Sequence, residues 1–145
     1  MTQIEYNVES LVRKIKKDDK MRDYCFVKGF NAYEHPNPLE EYMIAVSTLD
    51  THVGTDFVSD MVGENLKGSM YLATVKFRVF APKNDGGDGL TSVVYELCEA
   101  IKRCDSFNVC EKISTTGIAF DNECMAVYRD VVAQLSFCLY EEVTG

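Results

Sequence analysis

The chain has 145 residues, 46% of them apolar, with eight Phe and eight Tyr, which is enough to build a core and excludes a disordered segment. Its length predicts one domain over residues 1–145. The formal charge is −8 and uneven: residues 1–22 hold six basic and four acidic side chains (+2), and residues 23–145 hold 9 and 19 (−10). An acidic body repels phosphate, which disfavours stable nucleic-acid binding by the domain as a whole.

No apolar run approaches the roughly 18–20 residues that cross a bilayer, so no membrane contact is expected. The opening Met-Thr-Gln-Ile-Glu-Tyr-Asn lacks the basic and apolar regions of a secretory leader, so the protein is expected to stay where it is made. Ile4, Val8, Leu11, Val12 and Ile15 then recur at helix spacing, with Asn7 as a candidate cap. The Lys and Arg residues occupy the other faces, either as a solvated surface or as a docking patch for an acidic partner.

Tyr24–Phe30 reads as a strand, and Pro36 and Pro38 make the following stretch an extended loop. The continuous run Tyr42-Met-Ile-Ala-Val46 predicts a central strand over 41–48. Residues 50–69, rich in Asp and Gly around an island of Phe57, Val58, Met61 and Val62, read as a long polar loop. Asp50, His52 and Asp56 offer metal-ligating groups there, but two-residue spacings in a loop are a weak signal. The competing reading is a loop that is mobile or ordered by a partner.

Met70–Phe80 alternates strictly, with Tyr71, Ala73, Val75, Phe77 and Val79 on one face. Lys83-Asn-Asp-Gly-Gly-Asp-Gly89 is a glycine-rich corner, with Asp88 or Thr91 as the expected cap of the next helix. It lacks the Gly-Lys-Ser/Thr of a phosphate loop and the Gly-x-Gly-x-x-Gly of a dinucleotide fold. Leu90, Val93, Val94, Leu97, Cys98 and Ile101 define a second amphipathic helix, with Lys102 and Arg103 suited to its C-terminal dipole. Phe107–Phe120 reads as a strand and Asp121-Asn122 as a turn. Met125–Val143 then returns as a long strand with Val131, Ala133, Leu135, Phe137 and Leu139 on its buried face. The order α-β-β-β-α-β-β predicts an α+β two-layer domain, with a mostly antiparallel sheet of about five strands and both helices on one face.

Reaction chemistry is sparse. The six cysteines, at 25, 98, 104, 110, 124 and 138, form no Cys-x-x-Cys pair, so reduced thiols are expected and neither a metal nor a cofactor is. The two histidines, His35 and His52, fall in no nucleophile–base motif, and Glu40/Glu41 is a carboxylate pair without an implied pocket. The expectation is a protein that is not an enzyme.

Several phrases resemble one known family. Asn37-Pro-Leu39 leads into a strand ending Ile44-Ala-Val46, followed by a variable insertion and the strand Ala73-Thr-Val-Lys-Phe-Arg-Val-Phe-Ala-Pro82. A Gly-rich turn, the helix Leu90–Arg103 and a closing hairpin ending Ala133-Gln-Leu-Ser-Phe-Cys-Leu-Tyr-Glu141 complete the pattern. From about residue 7 onward the chain resembles the tail terminator proteins of long-tailed bacteriophages, the lambda-like type also found in prophages and phage-tail-like bacteriocins. The resemblance implies a structural virion-assembly protein: a homo-oligomeric ring, commonly a hexamer, that caps the tail tube, ends its polymerisation and offers the head-joining surface. Its implied partners are copies of itself, the tail tube protein and head–tail connector proteins, with DNA passing through the lumen without specific binding. Its implied location is the bacterial host cytoplasm during assembly and then the tail or tail-like particle.

Lys76, Arg78, Arg129 and Asp130, expected to point away from the core, are the candidates for ion pairs between subunits, against ordinary solvated charge. His52, Asp56, Phe57 and Met61 of the 50–69 loop are the candidates for contacting the tube or head. Two other readings fit the same elements: another phage head–tail joining or minor tail protein, and a small cytosolic ligand-binding module whose 50–69 loop folds over a small molecule. A hydrolase using Asp50 and His52 fits least.

Overall fold

The computed structural model describes residues 3–29, 39–59, 66–82 and 87–142, with backbone alone for 52–59, 66–69 and 139–142. The fold is α+β. Its elements in chain order are α1 (Gln3–Lys17), β1 (Cys25–Lys28), β2 (Met43–Ser59), β3 (Leu66–Phe80), α2 (Leu90–Cys104), β4 (Cys110–Thr115), β5 (Ala119–Asp121) and β6 (Ala126–Glu142). The sheet has six strands in the order β1-β2-β3-β6-β4, with β5 beside β6. Every pairing is antiparallel except β1 with β2, which is parallel.

The alternation of β3 and β6 becomes the core. Ala73, Val75, Phe77 and Val79 of β3 and Val131, Ala133 and Leu135 of β6 are each at most 1% exposed. Both helices cover this face. α1 presents Val8, Leu11 and Ile15, and α2 presents Leu90, Val93, Val94, Leu97, Ala100 and Ile101. Each helix places its apolar residues three and four apart, which lays one stripe down on the sheet. The opposite sheet face has a smaller cluster of Leu39, Met43, Ala45, Phe80, Cys124 and Ala126.

A clasp joins the C-terminal ends of the two helices. The Asp18 carboxylate accepts from Arg103 Nη2 at 2.7 Å and Nε at 3.2 Å. The chain enters α2 through Gly87, whose φ of +92° is left-handed. A Cβ there would also stand 3.1 Å from Val127 Cγ2, so the corner requires glycine on two grounds.

Several expected boundaries are corrected. Asn7 does not cap α1: it lies in the second turn, and its side chain accepts from Gln3 at 3.2 Å. Neither Asp88 nor Thr91 caps α2, because Gly89 holds the cap position without a side-chain bond. The expected strand 107–120 is two short strands, β4 and β5, broken at 116–118. Thr116 takes over there: its N–H donates to Asp130 O at 3.0 Å, and its Oγ1 accepts from Asp130 N at 2.9 Å. Phe30, Pro36, Pro38, residues 83–86 and Val143 lie outside the described residues.

The largest correction concerns residues 50–69. They do not read as one long loop: 50–59 continue β2 and 66–69 begin β3, paired from Asp50↔Thr74 to Ser59↔Leu66. Two register shifts, between Thr48 and Asp50 and between Val53 and Asp56, disguise this strand. Each bulge adds residues on β2 alone and reverses which side chains share a face, so no period of two runs through the segment. Leu49 is the added residue of the first bulge and is 53% exposed.

Candidate functional site

Beyond Thr51, β2, β3 and β6 continue together as a three-stranded ribbon. β3 pairs with β2 on one side up to Ser59 and with β6 on the other up to Glu142. β1 covers only Met43–Val46 of the β2 edge, and on β6 β4 pairs with Val131–Leu135 and β5 with Ala126–Tyr128. Among the described residues, no strand pairs with the outer edge of Thr51–Ser59 or of Phe137–Glu142. Unpaired strand edges present backbone N–H and C=O groups in register, which is a template for pairing with another chain.

The four charged candidates separate. Arg78 and Asp130 oppose each other on β3 and β6, on the sheet face away from the helices. They join within the chain: Arg78 Nε donates to Asp130 Oδ1 at 2.8 Å and Nη2 to Oδ2 at 3.0 Å. The guanidinium also lies over the Tyr128 ring, 4.0 Å from its centroid. Asp130 lies on that outer face but is only 8% exposed, so its carboxylate is held within the subunit. A flat guanidinium fork satisfies a planar carboxylate and stacks on a ring at once, so this pair closes on itself.

Arg129 is corrected too. It opposes Val79 and so belongs to the helix side, where its Nε donates to Thr116 O at 2.8 Å and Nη1 to Thr91 Oγ1 at 3.4 Å. It ties the first turn of α2 to the β4–β5 break. Lys76 opposes Val132 on the face away from the helices and is half-buried.

His52, Asp56 and Phe57 are strand positions on the ribbon, opposite Leu72, Ser69 and Gly68, and Met61 lies outside the described residues. No group of three His, Cys, Asp or Glu able to hold a metal occurs among the described residues. The cysteines whose side chains can be placed are free thiols. Burial, then the bond and charge of Asp121, push the Cys124 thiol up to about 12, far above the usual value near 9. Such a thiol is a poor nucleophile at neutral pH.

A groove of about 1090 Å³ lies between α1 and the β1–β2 side of the sheet. Ile4, Val8, Val12, Val46 and Tyr71 give it apolar walls, and Arg13, Lys16 and Lys28 stand on its rim beside Glu5 and Glu9. Lys28 Nζ reaches Glu9 Oε1 across it at 3.4 Å. The basic residues of α1 therefore divide: Arg13 and Lys16 line the groove, while Lys14 donates to Ser106 Oγ at 3.0 Å and lies over the Phe107 ring.

On the opposite side of the sheet, β5 and its flanks expose Ile118 and Phe120, and α2 exposes Tyr95. Tyr95 is one helical turn beyond Thr91, on the stripe that overhangs the β4–β5 edge. Farther along, Cys98 and Lys102 of that stripe line a cleft with Cys110 and Ile113 of β4. Neither the groove nor this apolar edge was legible beforehand, since each is assembled from segments distant in the chain. The chain matches no protein-family model, and no curated protein matches its sequence.

Proposed function

We propose that the chain is a structural subunit of tail-terminator type, which assembles into a closed ring on the end of a phage tail tube. In this role the ring stops tube growth and presents the surface that the head connector joins. One observation carries the reading: a ribbon of long strands with both outer edges unpaired among the described residues. Single-domain proteins usually shorten, cover or break such edges, and a subunit that completes its sheet with a neighbour has a use for them. The resemblance in element order and phrases supports the tube end as the destination. The net charge of −8 suits a conduit, since DNA passing a negative wall is not retained.

Sedimentation velocity at micromolar concentration, with and without purified tail tubes, tests the proposal. A closed oligomer, or one formed on adding tubes, is the expected result, with tubes of defined length in negative-stain images. Lys76→Glu is expected to preserve the fold and weaken assembly. A protein that stays monomeric with and without tubes overturns the reading.

A further inference from the structure

The groove beside α1 and the apolar rim at β5 lie on opposite sides of one sheet, which bears on how copies would meet. We infer that the β5 side of one copy, led by Phe120 and Ile118, seats in the α1–β1 groove of the next; this rests on the ring reading above. Three observations converge on a second copy as the occupant.

The first is shape and polarity. The groove is walled by Ile4, Val8, Val12, Val46 and Tyr71, while the opposite side exposes Phe120 at 53% and Ile118 at 60%. A concave apolar site on one flank and apolar side chains standing out from the other are the two halves of a head-to-tail contact. Repetition of such a contact generates a ring when its rotation closes. Large exposed aromatics are also the side chains that anchor interfaces once water is excluded.

The second is charge. Residues 117–125 contain Asp121 and Glu123 and no cation of their own, the Arg129 guanidinium being bonded to Thr116 O and Thr91 Oγ1 at the start of this edge. The groove rim carries Arg13, Lys16 and Lys28 against Glu5 and Glu9, and Glu9 is already joined to Lys28. The incoming edge therefore brings the exposed Glu123 side chain toward a rim with surplus positive charge, while Asp121 is held in its own turn.

The third is rigidity. The turn that leads from Phe120 into β6 is fastened by Asp121, whose Oδ1 accepts from Glu123 N at 2.8 Å and Cys124 N at 3.0 Å. Met125, the last residue of the turn, has φ +52° and is 53% exposed. A non-glycine residue in left-handed backbone is strained, and such strain concentrates where a surface must hold a set shape. A rigid edge loses little entropy on docking.

The test uses the full chain with three variants: Phe120→Asp, Lys16→Glu, and Lys16→Glu combined with Glu123→Lys. All alter exposed side chains, and circular dichroism with thermal melting checks the fold. Phe120→Asp and Lys16→Glu should each weaken association at least tenfold in sedimentation velocity at low salt. The double reversal should recover most of the loss that Lys16→Glu causes. If the wild-type assembly forms and both single variants assemble normally, this contact is wrong while the ring reading stands; a wild-type monomer overturns both. The dye 8-anilinonaphthalene-1-sulfonate serves as a groove probe. It should bind the dissociated subunit and leave on assembly. Dye that stays bound in the assembled wild type, and is lost in Val12→Asp, assigns the groove to a small apolar ligand and overturns the contact.

Discussion

Arg78 and Asp130 show how a charge on a strand can be structural. The carboxylate is buried, bonded twice by one guanidinium, and its own backbone N–H is held by Thr116. Removing the cation would leave a desolvated carboxylate, which costs more than the pair itself contributes. Arg78→Ala is expected to lower stability by about 2–3 kcal/mol in urea unfolding, with Arg78→Lys intermediate because it keeps the charge and loses the fork. Hydrogen bonds from Arg103, then Lys20 N–H, hold the Asp18 pKa below its usual 3.8. For Asp121, burial pushes upward, but bonds from Cys124 and Glu123 prevail and leave it lowered. A pKa depressed on folding stabilises above the unfolded value, and that contribution is lost as pH falls through the folded one. Melting temperature should therefore hold from neutrality to about pH 5 and drop below about pH 4, and Asp18→Asn should flatten the drop.

At the scale of elements, legibility followed periodicity. β3 and β6 were readable because Val75, Phe77 and Val79, and Val131, Ala133 and Leu135, alternate without interruption and face helices. α2 was readable because its stripe is complete. β2 was readable only to Thr48, where the first bulge breaks the period; the second, at Val53–Asp56, breaks it again, so ten strand residues resembled a loop. The β4–β5 break was hidden for another reason: Thr116 replaces strand pairing with a side-chain bond, which no hydropathy pattern records. Arg129 is in phase with Val131, and that phase, not its charge, decides that it lies on the helix side. The ribbon is also separable in principle, because on β3 the fully buried residues of the helix-covered core begin at Ala73, with Tyr71 and its partner Phe137 at the margin. Replacing Val53–Tyr71 by Asn-Gly, so that His52 and Leu72 flank a two-residue hairpin turn, should leave the helical circular dichroism signal and abolish assembly.

Across the whole molecule, the sheet separates two jobs. Its central strands and the helices bury the core, and its flanks and ribbon carry a groove, exposed aromatics and edges that no strand pairs among the described residues. None of the flank features follows from local sequence, because α1, β1 and β2 must fold together before a groove exists between them. Composition pointed correctly to a chain with a core, and no described helix is long and apolar enough to cross a membrane. It could not show that the cations of α1 serve different surfaces, Lys14 at the Phe107 turn and Lys16 at the groove.

Leu49 gives the bulge of β2 a geometric reach beyond its own strand. An extra residue on one side of a ladder steepens the local right-handed coil, and the two flanks belong to the same coiled surface. Under the proposed contact, the angle through which each copy turns from the last is inherited from that coil. Deleting Leu49 would then relax the pitch, and the change would register as a different number of copies per circle.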